Sequence, residues 1–156
     1  MRPATPADVP VVLELVHELA VYEREPDAVE TTEPQLREAL FGADPVVWCH
    51  VALDDDGSVV GFALWHLTFS TWRGTAGIWL EDLFVRPAAR GTGLGRALLQ
   101  ELARTCTARG YSRLAWWVLD WNEPSIGFYR SLGALPQEEW TTFRLDGEAL
   151  LRLATT

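Results

Sequence analysis

The chain has 156 residues, the length of one ordinary domain, and its 48% apolar and 22% charged residues exclude a disordered or collagen-like chain. All 13 basic residues are arginine, and against 22 acidic residues they leave a net charge of −9, without the basic stripe that a nucleic-acid binder needs. Residues 1–56 carry 13 acidic and 3 basic side chains, which fits either a cationic partner or a solvated acidic surface.

The first half of the chain is predicted to form two helices and then three antiparallel strands. Apolar residues recur three and four positions apart before Tyr22, as on one face of an amphipathic helix. Farther on, two β-rich runs flank an Asp/Gly turn and are typical of a hairpin. The predicted helices span 6–22 and 33–41, and the predicted strands span 46–53, 59–69 and 77–85.

The second half alternates helices and strands. Apolar side chains at intervals of four residues predict a helix over 93–109, and a nearly continuous apolar run over 113–119 predicts a strand buried on both faces. The remaining predicted elements are a helix from Asn122 to Leu132, a strand over 141–145 and a helical turn over 148–154. This order predicts a mixed, mostly antiparallel α/β (α+β) sheet flanked by helices, and one domain over 1–156 because no repeat or linker divides the chain.

A glycine-rich turn lies between a predicted strand and a predicted helix. It reads Arg90-Gly91-Thr92-Gly93-Leu94-Gly95-Arg96. Glycines let the backbone approach a ligand closely and expose N–H groups at the positive end of the helix, which suits an anion such as pyrophosphate. A P-loop is excluded because it needs lysine, and the dinucleotide fingerprint is excluded because Arg96 stands where it needs glycine. A purely structural turn is the alternative.

Several stretches of the sequence carry a family resemblance. They are Arg2 to Thr5, Glu18 to Glu23, Val60 to Ala63, Trp79 to Val85, the glycine loop, and Trp121 to Tyr129. Together they resemble the GNAT superfamily of N-acetyltransferases, and within it the spermidine/spermine (diamine) branch. The run Phe69-Ser70-Thr71-Trp72 is more similar to the thialysine-acetylating branch, since the polyamine enzymes carry an acidic residue there.

The resemblance implies the GNAT fold, with a short or missing first strand, and an N-acetyltransferase that uses acetyl-CoA and no metal. Its substrate would be the primary amine of a small cationic, diamine- or polyamine-like molecule, acetylated by direct transfer. A bulge would splay the strand before the loop and free its backbone for the pantetheine arm. The residues assigned to the cofactor are Leu83, Phe84, Val85, Arg90, Gly91, Thr92, Gly93, Leu94, Gly95, Arg96, Asn122 and Ser125.

Tyr129 and Glu81 are the candidate catalytic residues. An alkyl amine must lose a proton before it attacks, and the departing CoA thiolate must gain one. Tyr129 matches the proton donor of the resembled family, and a phenol is a plausible donor to a thiolate. Glu81 matches the position that binds the amine and relays its proton through water. The other positions that match the substrate channel are Tyr22, Glu23, Trp116 and Glu139.

Glu81 and Asp82 are adjacent carboxylates in an otherwise apolar strand. Because successive strand residues point to opposite faces, both can serve one point only where the strand is irregular. A charge there is costly unless it is paired. Asp82 is therefore either part of the site or structural, and in the structural case we expect an arginine partner.

Three functional alternatives stay open: a diamine or polyamine acetyltransferase, an enzyme for thialysine, lysine or an antibiotic amine, and a non-catalytic acetyl-CoA-sensing module. The histidines His17, His50 and His66 show no triad or metal spacing, so no catalytic role is expected for them. Two distant cysteines and the lack of an apolar run near 18 residues predict a cytoplasmic protein without metal, disulfide or membrane span. The resemblance implies a homodimer that meets through 141–145.

Overall fold

The computed structural model describes residues 1–155, and the chain folds as two units, Met1–Trp117 and Val118–Thr156. The strands are β1 (Arg2–Pro3), β2 (Trp48–Leu53), β3 (Val59–Ser70), β4 (Thr75–Val85) and β5 (Leu114–Ala115). The helices are α1 (Val9–Tyr22), α2 (Glu33–Phe41), α3 (Leu94–Ala108), α4 (Glu123–Ser131) and α5 (Gly147–Ala154). Single 3-10 turns precede α1 and follow β4.

The strands of the first unit form one sheet in the order β1-β2-β3-β4-β5. Neighbours from β1 to β4 are antiparallel, whereas β5 runs parallel to β4. A parallel neighbour requires a crossover, because the chain must return to the same end of the sheet, and α3 is that crossover. The predicted mixed, mostly antiparallel α/β sheet flanked by helices is therefore confirmed.

Helices cover both faces of this sheet. Leu15 of α1 belongs to the same buried apolar cluster as Val51 of β2 and Phe62 of β3, and α2 completes this cluster. The opposite face is covered by α3, whose Leu98 and Leu102 are fully buried. Because side chains alternate along a strand, β2 and β3 supply residues to both apolar layers.

The first strand is short, as expected, and an ion pair holds it against the start of α1. Both terminal nitrogens of Arg2 donate to the buried Asp8 carboxylate, at 2.6 and 2.8 Å. The backbone N–H and the hydroxyl of Thr5 donate to the same carboxylate, each at 2.7 Å. The Arg2 guanidinium, helped by Thr5, holds the pKa of Asp8 well below its usual range.

Glycines mark both ends of α3. Gly93 is the N-terminal cap with φ 90°, and Gly110 follows the last turn with φ 66°. The N–H of Tyr111 donates to the carbonyl of Cys106 at 2.8 Å, which closes the C-terminal turn. The helix predicted over 93–109 is thus confirmed to within one residue at each end.

The strand predicted over 113–119 is wrong in length and burial. β5 spans only Leu114–Ala115, both residues are half-buried, and it pairs with Ile78 and Trp79 of β4. Within residues 1–155, β5 is the last strand at its edge of the sheet, so one of its sides has no strand partner. An apolar run that reads as a central strand therefore lies at an edge, and Trp117 just beyond it is 59% exposed.

The second unit contains α4 and α5. The side chain of Asn122 caps α4 by accepting a hydrogen bond from the N–H of Ser125 at 3.4 Å, and the helix ends shortly before Gly133, which has φ 85°. The helix predicted from Asn122 is confirmed. The strand predicted over 141–145 is wrong for the described chain, because this exposed segment pairs with no other strand there, and a strand exists only through its pairing.

Candidate active site

The loop between β4 and α3 presents a row of backbone N–H groups. Gly91 and Gly93 have φ 80° and 90°, in the left-handed region where side chains with a Cβ are strained. The N–H of Ala97 makes the first helical bond, to the carbonyl of Gly93 at 2.9 Å. In the described part of the chain, the N–H groups of residues 91–96 donate no hydrogen bond. They lie at the positive end of α3 and can bind an anionic group.

Arg90 connects this loop to the end of α1. Its guanidinium carbon lies 4.8 Å from the ring centre of Tyr22 and 5.5 Å from that of Phe84. Its Nε donates to the carbonyl of Val85 at 2.9 Å. These contacts fix the first residue of the loop against β4 and make Tyr22, a predicted substrate residue, a neighbour of the predicted cofactor loop.

The last part of β4 has one open edge. β3 pairs with it through Leu83, Phe84 and Val85, but β5 reaches only as far as Trp79, and no other described strand follows on that side. The N–H of Arg86 donates back to β3, so by alternation the backbone groups of Leu83 and Val85 point toward the open edge. The side chain of Phe84 is buried in the core, so only backbone is offered to a ligand there.

A β-bulge lies in β4 at Glu81. Leu64 of β3 pairs with Asp82, whereas the next residue, Trp65, pairs with Leu80, so Glu81 is the extra residue. Asp82 is on the face of Leu64, and Glu81 contacts His66 on that same face. The strand is therefore irregular at the position that allows both carboxylates to lie on one face. The bulge expected before the loop is present.

Two neighbours orient the Glu81 carboxylate. The indole Nε1 of Trp79 donates to its Oε2 at 3.1 Å, and Nε2 of His66 lies 3.6 Å from the same oxygen. Trp79 is in turn held edge-on by Trp117, with ring centres 4.8 Å apart at 80°. The Glu81 side chain remains 53% exposed, so a substrate can reach its second oxygen.

Asp82 is half-buried, and no hydrogen bond or ion pair from residues 1–155 reaches its carboxylate. Burial raises its pKa to about 6, and the negative charges of Glu81 and Glu23 add to this effect. Burial also raises the pKa of Glu23, the residue that ends α1. The expected arginine partner is thus wrong, because Arg86, four residues on, is paired with Glu18 and with another acidic side chain of α1.

Most of the remaining predicted residues belong to the second unit. Trp116 follows β5 and is half-buried, like Ser125 and Tyr129 of α4 in the second unit. The ring centre of Tyr129 lies 5.4 Å from that of its neighbour Phe128. Asn122 is buried as the cap of α4, and Glu139 lies exposed in a turn.

Sequence reasoning missed His66, Trp79 and Trp117 as parts of the site. Trp79 stands two residues before Glu81, a spacing that places both side chains on one face of a regular strand. The register of β3 against β4, which brings His66 opposite Trp79, cannot be read from composition. A histidine near the end of a strand that pairs with the Glu81 strand was the available signal.

The described chain offers no group of three His, Cys, Asp or Glu side chains that could hold a metal ion. None of the helices in residues 1–155 is long and apolar enough to span a membrane. The candidate site described above consists of an anion-binding loop, an open strand edge and a carboxylate cluster with one imidazole.

Comparisons with known proteins agree with this geometry. The model of the acetyltransferase (GNAT) family matches residues 12–134. Thialysine N-epsilon-acetyltransferase of Bos taurus is 38% identical, over 99% of this chain and 96% of its own length. Spermidine/spermine N(1)-acetyltransferase-like protein 1 of Homo sapiens is 34% identical over 99% of this chain, which corresponds to 23% of that longer protein. Among solved structures, an integron cassette protein from the mobile metagenome of V. cholerae superposes with a TM-score of 0.82 at 27% identity, over 99% of this chain and 96% of that chain.

Proposed function

The chain belongs to the acetyltransferase (GNAT) family and is an N-acetyltransferase, and from this premise we propose that it moves the acetyl group of acetyl-CoA to a primary amine of a small cationic molecule. The observation that carries the proposal is the cluster of Glu23, Glu81 and Asp82 beside the anion-binding loop. This cluster has no arginine partner among the described residues, so a bound cation would supply the missing charge.

Acetyl-CoA fits the loop and the open strand edge. The N–H groups of residues 91–96 donate to nothing in the described chain and are suited to its pyrophosphate. The backbone groups of Leu83 and Val85 at the open edge are suited to the amides of its pantetheine arm. When bound, acetyl-CoA supplies the activated acyl group. Asn122 and Ser125 are proposed as further cofactor contacts because they match the family motif.

The substrate we favour is an amino acid with a side-chain amine, of the thialysine or lysine type. Its support is the 38% identity to a thialysine enzyme along nearly the whole of both chains. The run Ser70-Thr71-Trp72, which resembles the thialysine branch, points the same way. A diamine or polyamine is the second candidate, because three carboxylates around one site suit an acceptor with more than one positive charge.

In this mechanism, Glu81 holds the ammonium group and accepts its proton, since its carboxylate is oriented by Trp79 and open to solvent. Tyr22 and Glu23 border the amine side of the same cluster, and Trp116 and Glu139 are proposed contacts for the rest of the substrate. Tyr129 is proposed to protonate the leaving thiolate, which rests on its match to the family motif Asn122 to Tyr129.

A substrate panel tests the proposal. The purified chain is incubated with acetyl-CoA and, separately, with thialysine, lysine, ornithine, a diamine, spermidine and an aminoglycoside, and CoA release is measured. We expect turnover with at least one amine and the highest kcat/KM with thialysine. Binding of acetyl-CoA without turnover of any amine would overturn the proposal in favour of a sensing module.

Two predictions about the whole protein accompany this function. A homodimer joined through 141–145 is proposed from the family resemblance, and sedimentation at micromolar concentration checks it. A cytoplasmic location fits the sparse, distant cysteines, neither of which is in a disulfide. Both units are proposed to work as one acetyltransferase domain, since the family match runs across them.

A further inference from the structure

His66 lies next to the Glu81 carboxylate. It lies near the end of β3, opposite Trp79 of β4, and its side chain is 36% exposed. Its Nδ1 lies 3.2 Å from the carbonyl oxygen of Leu67. A carbonyl oxygen can only accept a hydrogen bond, so these two atoms are hydrogen-bonded in the ring form that carries its hydrogen on Nδ1. In the neutral ring the other nitrogen, Nε2, is then unprotonated and able to accept a proton.

The other ring nitrogen, Nε2, faces Glu81. Nε2 lies 3.6 Å from Oε2 of Glu81, the same oxygen that accepts from the indole of Trp79 at 3.1 Å. The ring centres of His66 and Trp79 are 6.5 Å apart, and Trp79 is braced by Trp117. The charges of Glu81 and Glu23 both act on Asp82, so acidic groups surround this part of the strand.

We propose that His66 is the proton acceptor behind Glu81, a positioning residue that acts through that carboxylate and passes the proton of the substrate amine to solvent. The inference rests on the proposed acetylation of an alkyl amine. An N–H bond of the ammonium group breaks and its proton moves to Glu81, directly or through one water. The proton then moves from Glu81 to Nε2 of His66, the amine keeps its electron pair for the attack, and the exposed imidazolium releases the proton to water.

The need for such an acceptor follows from the substrate. An alkyl amine with a pKa of about 10.4 is neutral in only about one molecule in 2,500 at pH 7. A carboxylate returns such a proton to the amine readily, because carboxylic acids as a class are far stronger acids than alkylammonium ions. An imidazole titrates near neutral pH and can keep the proton away from the amine long enough for the transfer to proceed.

The test compares His66→Gln with the matched variant His17→Gln in the full chain. Gln keeps a polar group near the position of Nε2 but cannot take up a proton, and His17 is an exposed histidine of α1 that the proposed mechanism does not use. For the best alkyl amine we expect His66→Gln to lower kcat by about 10- to 100-fold, within the range of general base catalysis, with KM within about twofold. His17→Gln should keep the kcat and KM of the natural chain.

A second acceptor separates a proton relay from a structural role. With an amine whose pKa is about 8, the neutral fraction at pH 7 is already about one in ten, so His66→Gln should lose less than about threefold in kcat. Imidazole added to His66→Gly should restore part of the kcat for the alkyl amine.

The inference is overturned by an unchanged kcat in His66→Gln, or by an equal loss with both amines and no rescue by imidazole. If His66→Gln unfolds, His66→Asn, whose amide nitrogen can keep the bond to Leu67, replaces it and is judged by the same comparison. A natural chain that acetylates no amine would contradict the proposed function itself, which is a different result from an active enzyme that does not need His66.

Discussion

At the residue scale, the proposed function depends on side chains that are costly to the fold. Glu81 and Asp82 interrupt an apolar strand, and the Asp82 carboxylate has no hydrogen bond or ion pair among residues 1–155 to offset its burial. Arg86 is nearby in sequence but is engaged by Glu14 and Glu18 of α1. A cationic substrate of the proposed kind would supply the charge that these carboxylates lack.

Asp82→Asn should stabilise the protein at neutral pH. Burial raises the pKa of Asp82 to about 6, so the folded state binds this proton more tightly than the unfolded chain does. The natural chain therefore loses stability as the pH rises from about 4 to about 6, and the loss persists above that range. We expect Asp82→Asn to raise the free energy of unfolding by about 1–2 kcal/mol at pH 7.5 and to change it little at about pH 4.

Urea unfolding at both pH values measures this difference. Asp55→Asn is the matched control, because Asp55 lies exposed in the hairpin turn between β2 and β3. A gain that is the same at both pH values, or is shared by Asp55→Asn, would contradict the assigned cause.

Tyr129→Phe should separate binding from turnover. The substitution removes only the phenolic O–H, so acetyl-CoA affinity should stay within about twofold while kcat falls by about 100-fold or more, as for a lost general acid. Calorimetry gives the affinity and CoA release gives kcat. Tyr111→Phe is the control, because it removes the O–H of a half-buried tyrosine between α3 and β5. Undiminished turnover in Tyr129→Phe would remove Tyr129 from the mechanism.

At the element scale, the site is assembled from element ends. The N-terminus of α3 supplies the N–H groups, the end of α1 supplies Tyr22 and Glu23, and β4 supplies the carboxylates. Arg90 joins the first two of these ends through its contact with the Tyr22 ring. Small backbone changes at these ends should therefore affect function and stability together.

Two glycine substitutions should have opposite effects on stability. Gly93→Ala places a Cβ at φ 90° and should lower the free energy of unfolding by about 1–2 kcal/mol, as well as weaken acetyl-CoA binding. Gly127→Ala lies inside α4, where an added Cβ meets no atom within 4 Å, and should raise the free energy of unfolding by about 0.5–1 kcal/mol. Thermal unfolding of both variants, with and without acetyl-CoA, checks the signs; a stable Gly93→Ala would contradict the role of the loop conformation.

Local signals predicted the elements well where residues in the sequence mark the ends of a helix. α2 begins and ends as predicted, and Gly93 and Gly110 bracket α3. The strand predicted over 113–119 was too long, because the length of a strand depends on its pairing partner. The sequence does not show where the pairing with β4 ends. The contact between His66 and Glu81 depends on the register of β3 and on one inserted residue, both of which are properties of pairing.

At the scale of the whole molecule, charge is divided between the two substrates. The acidic side chains concentrated in residues 1–56 give the chain its net charge of −9, and Glu23 of the proposed amine site is one of them. Arg90 and Arg96 flank the loop proposed for the anionic cofactor. The field of the protein should therefore attract the amine over long range, while the cofactor depends on local N–H groups.

Salt should affect the two substrates differently. Raising sodium chloride from about 0.05 to about 0.5 M screens long-range attraction, so kcat/KM for a dicationic amine should fall by roughly threefold. The kcat/KM for acetyl-CoA should stay level or rise, since a chain of net negative charge repels it at low salt. Steady-state rates, measured with the other substrate at a fixed saturating concentration, give kcat/KM for each substrate. A parallel fall of kcat/KM for both substrates would contradict this difference between the amine and the cofactor.

The extra residue in β4 has a consequence for how this strand can change over evolution. Leu80 and Asp82 pair with consecutive residues of β3, so a chain without Glu81 would still form an unbroken ladder there. Every core side chain before and after that point would keep its side of the sheet, because removal of the one extra residue restores the regular alternation of side chains along the strand. The second carboxylate can thus be gained or lost as a single-codon event that leaves the core untouched, and the chemistry at this site can diversify independently of the fold.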